Sequence, residues 1–535
     1  MLSRTITRLP LILGIAFIVL FVILPLVGML AETFWGAEGF DLSPWSHLFE
    51  EARDRQAFFT SIQLGLACVA VALVLGGGHA WLCGTRDLPG WRVLGPLGVL
   101  PLALPPITIA MGWSDITVTK SFWFCAVLVG VAFAPFVAVM TARGLDTIDG
   151  RSYESALLSR GRTSAELLVL RSALPEILAG ALFVFVFAVG EYGVPEFLTI
   201  KGKTWHTYSE AVFARWTRRA TGSGMEDLVG PIVASVPLLV LVLFAMFVAL
   251  LLRARATISG SFAPLPRRSL GALRVPALLL PVTYLGIGVI VPIVVMVRWA
   301  MGSTDVTEPM SFEVLRRTFE RTFEQAGGDL RFTFLVAVLT TIVLVVIGPP
   351  LARSVAKRGI LVQSLVAIPI AVPAVLLAVG FVKVYNRPEL GPLYDRTFDF
   401  YDSAGIVVVA YGARFLPFAI LTMLHAQRRV DPTLEEAALF GERGPLARVL
   451  HVRLPLILPA LWSMACLVLV LALRELDTAV VLPAGNGTVV RRLSNVIHFG
   501  GEAMGGALGL MVFAGACALP VVTMLVTGKK MRSLS

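Results

Sequence analysis

Two stretches decide how this chain folds: YESALLSRGRTSAELLVLRSALP, from Tyr153 to Pro175, and LEEAALFGERGPLARVLHVRLP, from Leu434 to Pro455. Each opens with acidic and small residues. Each carries a glycine, Gly161 or Gly441, 14 positions ahead of the proline of a Leu-Pro pair, and then enters an apolar run. Arg143, Arg151, Arg160, Arg162 and Arg171 alternate with Ala156, Leu157, Leu167, Leu168 and Leu170 in and beside the first stretch. That pattern lays an apolar helix face on a surface and leaves charge at its rim. Gly161 and Gly441 stand where a helix ends and the chain turns. Pro175 and Pro455 are expected to stop one segment and start the next.

Around these stretches the chain is apolar. Hydrophobic residues fill 57% of 535 positions and mean hydropathy is +0.82, far beyond a soluble domain. A hydrocarbon layer of about 30 Å takes roughly 20 apolar residues per helix. Twelve such runs are present, at 9–30, 57–83, 93–112, 122–140, 177–197, 228–252, 275–297, 332–351, 361–382, 405–424, 456–473 and 504–526. The expected fold is an all-α integral membrane protein with 12 transmembrane helices. The first run is too long, and lacks the small-residue cleavage site, for a removed signal peptide. Cys68, Cys83, Cys125, Cys466 and Cys517 fall within runs and form no CxxC, and the six histidines form no HExxH pair. No metal site is expected.

The runs repeat in order. LPLALPP (Leu100 to Pro106) matches IPIAVPA (Ile368 to Ala374) at an offset of 268, which also aligns Gly112-Trp113 with Gly380-Phe381. FAPF at Phe133 matches FLPF at Phe415, Leu174-Pro175 matches Leu454-Pro455, and Glu191 matches Glu475. The expected domains are 1–258, with its amphipathic segment at 153–175, and 259–535, with the second at 434–455. They form two parallel six-helix repeats, joined by an Arg- and Pro-containing linker. Parallel repeats in transporters pass substrate between the halves.

The net charge of +10 is topological rather than a nucleic-acid footprint. With a cytoplasmic N-terminus, 25 Lys/Arg lie in the inner segments, 19 in the outer loops and Arg414 within a run. Both termini and both amphipathic segments are then cytoplasmic. Taken by themselves, the segments have a second, weaker reading as helices lying on anionic lipid.

These segments resemble the EAA loops of type I ATP-binding-cassette importer permeases, whose pattern is E-A-A, three residues, G, then a later Leu-Pro. The second copy matches with Glu435, Glu436, Ala437, Ala438, Gly441, Leu454 and Pro455; the first with Glu154, Ala156, Gly161, Leu174 and Pro175. Ser155 interrupts the first E-A-A, and Gly441 falls one residue early. The resemblance spans nearly the whole chain and is to the fused permeases of the ferric-iron, thiamine and phosphonate group. GEYGVPEFL (Gly190 to Leu198) and YGARFLPFAI (Tyr411 to Ile420) look most like the ferric-iron members. It implies the type I importer permease fold, with each loop a short coupling helix seated on one of two copies of a cytoplasmic ATPase. It further implies an extracytoplasmic solute-binding protein as partner, a bacterial inner membrane location, and ATP and Mg on the ATPase rather than on this chain.

The chain itself has no GxxxxGK[ST] phosphate loop: before Gly202-Lys203-Thr204, Phe197 stands where the first glycine belongs. It is therefore read as a translocation subunit without catalytic residues, not an enzyme. A gradient-driven carrier with Glu191 and Glu475 as proton sites is the competing reading, and it has no use for two docking loops. An integral-membrane enzyme would need a His, Asp or Cys cluster at one face.

Ionisable groups at membrane depth are costly and point to function. Glu191, Glu475, Arg414 and Arg474 are the candidates for a translocation pathway or gate; the alternative is that the carboxylates pair with Arg414 or Arg474. The prolines Pro101, Pro105, Pro106, Pro369 and Pro373 either shape a broken helix at the path or make static kinks. KGKTWHTYSEAVFARWTRR (Lys201 to Arg219) either docks the binding protein or forms a solvated interfacial helix. Tyr192 and His206 stand alone and give no iron-binding geometry.

Overall fold

Hydrocarbon offers no partner to a peptide N–H or C=O, so the apolar runs can cross a bilayer only as helices. A computed structural model describes residues 2–36, 39–46, 52–117, 120–200, 202–222, 229–254, 263–302, 310–356, 374–386, 400–430, 444–482, 487–498 and 501–531. It also describes positions 358, 362, 366, 369, 372, 433, 434, 436 and 437. The apolar helices are α1 (Leu9–Ala31), α2 (Ala52–Thr85), α3 (the bent pair Trp91–Ala103 and Pro106–Ile116), α4 (Phe122–Asp146), α5 (Gly150–Gly190) and α6 (Ile232–Ala249). They continue with α7 (Gly271–Ala300), α8 (Phe312–Ala356), α9 (Ala374–Tyr385), α10 (Ala404–Leu424), α11 (Leu446–Leu473) and α12 (Glu502–Ala518). Among the described residues nine are long enough to span alone, α3 is a tenth if its two parts count together, and α9 and α12 are shorter. Each of the twelve apolar runs thus holds an apolar helix. Large side chains such as Val74, Phe244 and Leu279, at 62, 65 and 72% exposure, face outward, as a surface solvated by lipid requires. The only strands described are the two-residue pair Trp35–Gly36 and Gly39–Phe40.

Three boundaries differ from the sequence reading. The helix expected at 177–197 starts far earlier and stops at Gly190, because Glu191 turns extended (φ −66°, ψ 125°) before a new helix, Gly193–Ile200. Pro175 does not start a segment; it lies inside α5, where the helix tolerates the missing N–H. Pro455 likewise sits within α11, two residues after a widened π turn at Val449–Arg453.

That π turn is one of a set. Proline in a helix removes a hydrogen bond and crowds the carbonyl four residues back, and one extra residue in the turn relieves it. π turns at Val19–Ile23 and Gly286–Ile290 precede Pro25 and Pro292 in the same way. α3 breaks more sharply, by 93°. The residue before a proline is pushed to extended backbone, so Leu104 (ψ 131°) and Pro105 (ψ 139°) are both extended ahead of Pro106. The carbonyl of Pro105 is not orphaned: Thr108 donates its hydroxyl to it at 2.7 Å.

The helices fall into two compact units. One comprises Met1–His47, Gln325–Arg492 and Ala514–Ser535; the other comprises Leu48–Glu324 and Leu493–Phe513. This grouping cuts across a boundary at 258, because each unit takes its first helix from the opposite half of the sequence. In the first unit, α1 lies against α9: Phe21 stacks on Phe381, Tyr385 donates to the carbonyl of Leu20 at 2.6 Å, and Gly380 faces Pro25. In the second, α7 lies against α3: Trp113 Nε1 donates to the carbonyl of Ile287 at 2.9 Å, and Gly112 faces Pro292. The two arrangements are counterparts, since Leu20 and Pro25 map onto Ile287 and Pro292 at one offset of 267.

Candidate functional site

At the end of the second unit that carries Gly161, α5 is kinked. Asp149 caps its start, accepting from Arg151 N at 3.1 Å. The first eleven residues then form a short helix, ended at Gly161 by φ 78° and ψ 178°, a combination that essentially only glycine adopts. This helix and the helix that continues beyond Gly161 are held by a core of Leu145, Ile148, Tyr153, Ala165, Val169 and Ala173. The other face is open. Glu154 is exposed and Ala156 half-buried, while Leu157 and Leu158 are 38 and 89% exposed. Leu158 was missed in the sequence reading, although it sits beside Leu157 in the quoted stretch. Leu174 and Pro175 lie farther along the continuous helix, the former exposed and the latter half-buried.

A charged node fixes this hairpin. Arg86, at the end of α2, forks onto Glu166 at 3.2 and 3.3 Å, and Arg268 ion-pairs with the same carboxylate. The Arg268 guanidinium also lies 5.0 Å from the Tyr153 ring. Arg268 comes from the segment between the two sequence halves, which is laced to the hairpin by backbone bonds. Gly150 N donates to Ala263 O at 2.9 Å, Ala263 N donates to Asp149, and Arg268 pairs with Arg86 as a short parallel bridge. Sequence patterning gave no hint of this lacing, because main-chain bonds of an extended segment leave no hydrophobic period.

In the second candidate stretch, Glu435, Ala438 and Gly441 lie outside the described residues. Glu436 and Ala437 are helical and exposed. Leu454 is half-buried and Pro455 exposed. Arg453 Nε donates to the buried Gln427 at 3.0 Å and ties this segment to the extension of α10.

At the opposite end of α5, Glu191 is 8% exposed and its Oε1 accepts from Val194 N at 3.2 Å, capping the helix Gly193–Ile200. Glu475 repeats the arrangement in the first unit: its Oε1 accepts from Thr478 N at 3.0 Å and Thr478 Oγ1 at 2.7 Å. There Arg414 joins in, with Nε 3.2 Å from Glu475 Oε2 and Nη2 3.9 Å from Asp477. So Arg414 and Glu475 are brought together, Arg474 is buried in the same neighbourhood of sequence, and Glu191 holds the equivalent place in the other unit. The helix-capping use of both glutamates was not anticipated; each stands three residues before the N–H it accepts from, a spacing visible in the sequence.

The basic loop after Gly193–Ile200 is neither loose nor wholly solvated. Lys203 is buried, with Nζ 2.8 Å from Glu210, whose carboxylate also takes Thr207 and Thr199. Burial pulls the Lys203 ammonium below its usual range and Glu210 holds it up. Arg215 pairs with Asp54. Among the described residues no three His, Cys, Asp or Glu side chains group in a way that could hold a metal ion.

Helices with two charged-rimmed segments, inward glutamates at matching ends and first helices exchanged between repeats define a two-half membrane permease component. The chain belongs to the family described as the binding-protein-dependent transport system inner membrane component, which it matches twice, over residues 80–258 and again over 345–528. That family is one of translocation subunits rather than enzymes. The two matches leave out α1 and α7, the helices exchanged between the compact units. The chain is 25% identical over 330 residues to a probable ABC transporter permease protein, y4fN, of Sinorhizobium fredii, covering 57% of this chain. It spans only 55% of that relative's length. It is also 21% identical over 450 residues to the Fe(3+)-transport system permease protein FbpB 2 of Haemophilus influenzae, covering 81% of this chain and 83% of the relative.

Proposed function

We propose that this chain is the membrane-spanning subunit of an ATP-driven, binding-protein-dependent importer, and that its cargo is ferric iron. The observation that carries the reading is the exposed short helix before Gly161: an apolar tip on a rigidly held hairpin suits docking onto a separate motor. Two copies of a cytoplasmic ATPase would take one such segment each and supply ATP and Mg; a solute-binding protein would deliver cargo at the opposite face of a bacterial inner membrane. On this reading both termini are cytoplasmic, and the segment around Glu436 is the second docking element. Rocking of the two halves would then give alternating access. Glu191, Glu475, Arg414 and Arg474 would line or brace the path.

Ferric iron is favoured by the Haemophilus relative's name and by the motifs at Gly190 and Tyr411. Thiamine, phosphonate, a polyamine or an oxyanion are the other cargoes of the same class. Uptake of radiolabelled ferric iron by cells with the chain intact, deleted, or carrying Gly161→Asp and Leu158→Arg tests it. Loss of uptake in both altered strains supports cargo and coupling together. Uptake unchanged by deletion, in cells lacking other iron systems, overturns the iron assignment.

A further inference from the structure

The segment bonded to Gly150 and Arg86 carries two consecutive arginines with different partners. Arg268 turns inward to Glu166; Arg267 turns outward and lies over the Trp91 ring, its guanidinium carbon 3.1 Å from the ring centre. Arg92 approaches the same ring, at 5.4 Å. Two guanidinium groups thus share one indole. Neither has an ion-pair partner among the described residues, although the neighbouring basic groups do: Arg274 pairs with Asp87, and Arg86 and Arg268 with Glu166. The position of Arg267 is built rather than accidental. Asp87 N donates to Arg268 O at 3.1 Å, and Leu270 N donates to Asp87 Oδ1 at 2.9 Å, pinning the turn on both sides. Partial desolvation lowers the Arg267 pKa, and the like charge of Arg92 lowers it further. A surface that holds two like charges together without a carboxylate is complementary to an anion.

The surroundings say which anion. Val93, Leu273, Val275 and Leu279, at 64, 65, 69 and 72% exposure, flank the pair and begin the apolar faces of α3 and α7. The arginines therefore sit at the depth where acyl chains give way to headgroups, the place an indole favours. A water-facing protein partner would not meet this apolar rim. We propose that Trp91, Arg92 and Arg267 form a binding site for the phosphate of an anionic phospholipid headgroup, with its acyl chains along Val93, Val275 and Leu279. Arg supplies planar donors to phosphate oxygens, and the Trp91 ring carries both guanidinium groups. The site is independent of which solute the chain carries.

The test uses the full-length protein purified in neutral detergent and titrated with fluorescent phosphatidylglycerol or phosphatidylcholine. Phosphatidylglycerol should bind at least tenfold more tightly than phosphatidylcholine. Arg92→Gln with Arg267→Gln should abolish that preference, whereas Arg92→Lys with Arg267→Lys should keep part of it. Both arginines are exposed, so an unchanged melting temperature is expected for each pair. Were the Gln pair to misfold, loss of phosphatidylglycerol preference in the wild-type protein at 1 M salt, where screening is nearly complete, serves in its place. Three results overturn the proposal: equal binding of both lipids by the wild type, undiminished preference in the Gln pair, or full displacement by millimolar inorganic phosphate, which marks a free-anion site. Intact lipid preference in the Gln pair together with lost ATPase copurification would assign the arginines to a protein interface instead.

Discussion

The indole of Trp113 donates to the carbonyl of Ile287, 2.9 Å away, and so satisfies an acceptor that the π turn before Pro292 sets free. A buried acceptor left alone costs about 1–3 kcal/mol. Trp113→Phe should therefore lower the melting temperature of the purified protein. In a Pro292→Ala background, where the helix ladder can close, the same change should cost less. Equal losses in both backgrounds would sink the explanation.

Gly112 leaves no room for a side chain: a Cβ would lie 2.7 Å from Pro292 Cα. Its counterpart Gly380 is less crowded, with a Cβ 3.0 Å from the Pro25 carbonyl oxygen. Backbone atoms move reluctantly, so Gly112→Ala should destabilise by roughly 1–3 kcal/mol and Gly380→Ala by less. Thermal melting of the two variants gives the order.

Leu158 contacts nothing that stabilises the fold, being 89% exposed. Leu158→Arg should leave the melting temperature within experimental scatter and reduce copurification of an ATPase subunit several-fold. Gly161→Asp, by contrast, forces an L-residue into glycine-only backbone at a cost of order 1–3 kcal/mol, and should weaken both. If Leu158→Arg retains the ATPase fully, the exposed helix is not the docking surface.

Breaking the Arg414–Glu475 pair should be expensive. Their side chains are 14 and 7% exposed, and stranding a buried charge costs about 3–5 kcal/mol. Arg414→Met should fall within that range, and adding Glu475→Gln should recover part of it while keeping the cap on Thr478. A double-mutant cycle on melting temperature measures the coupling; additive losses would show that the pair does not act as one.

Glu166 serves two arginines from different parts of the chain. Glu166→Gln should loosen the hairpin and leave Arg86 and Arg268 facing each other. Hydrogen exchange over residues 150–165 should rise while exchange in α10 stays constant. A rise spread evenly over the chain would argue for general destabilisation instead.

Much of this architecture was legible because lipid imposes one rule on every span. Each of the twelve apolar runs holds an apolar helix, nine of them long enough to span alone among the described residues. Pro105-Pro106 left a broken helix open beside a static kink, which the 93° bend of α3 decides. The Arg414–Glu475 pairing was readable as an alternative from charge alone. What escaped has physical reasons too. VILP at Val22–Pro25 and VIVP at Val289–Pro292 repeat at a constant offset, yet four apolar letters look like any others until the π turns appear. Pro175 was misplaced because a proline's effect depends on whether neighbours donate to the freed carbonyl. The lacing of residues 263–270 onto α2 and the hairpin is made by backbone atoms, which carry no sequence signature.

The exchange of first helices sets an order of events in time. Leu20 and Pro25 are made some 360 positions ahead of Tyr385 and Gly380, which close over them. At about 5–20 residues per second, roughly 20–70 s pass before the first helix meets its partner. During that interval α1 has lipid for company and an open carbonyl at Leu20. The second helix of the set waits for nothing, since Trp113 is already in place when Ile287 emerges. The two halves thus share a geometry but not a history: one seals as it is made, and the other must be held until Gly380 and Tyr385 arrive.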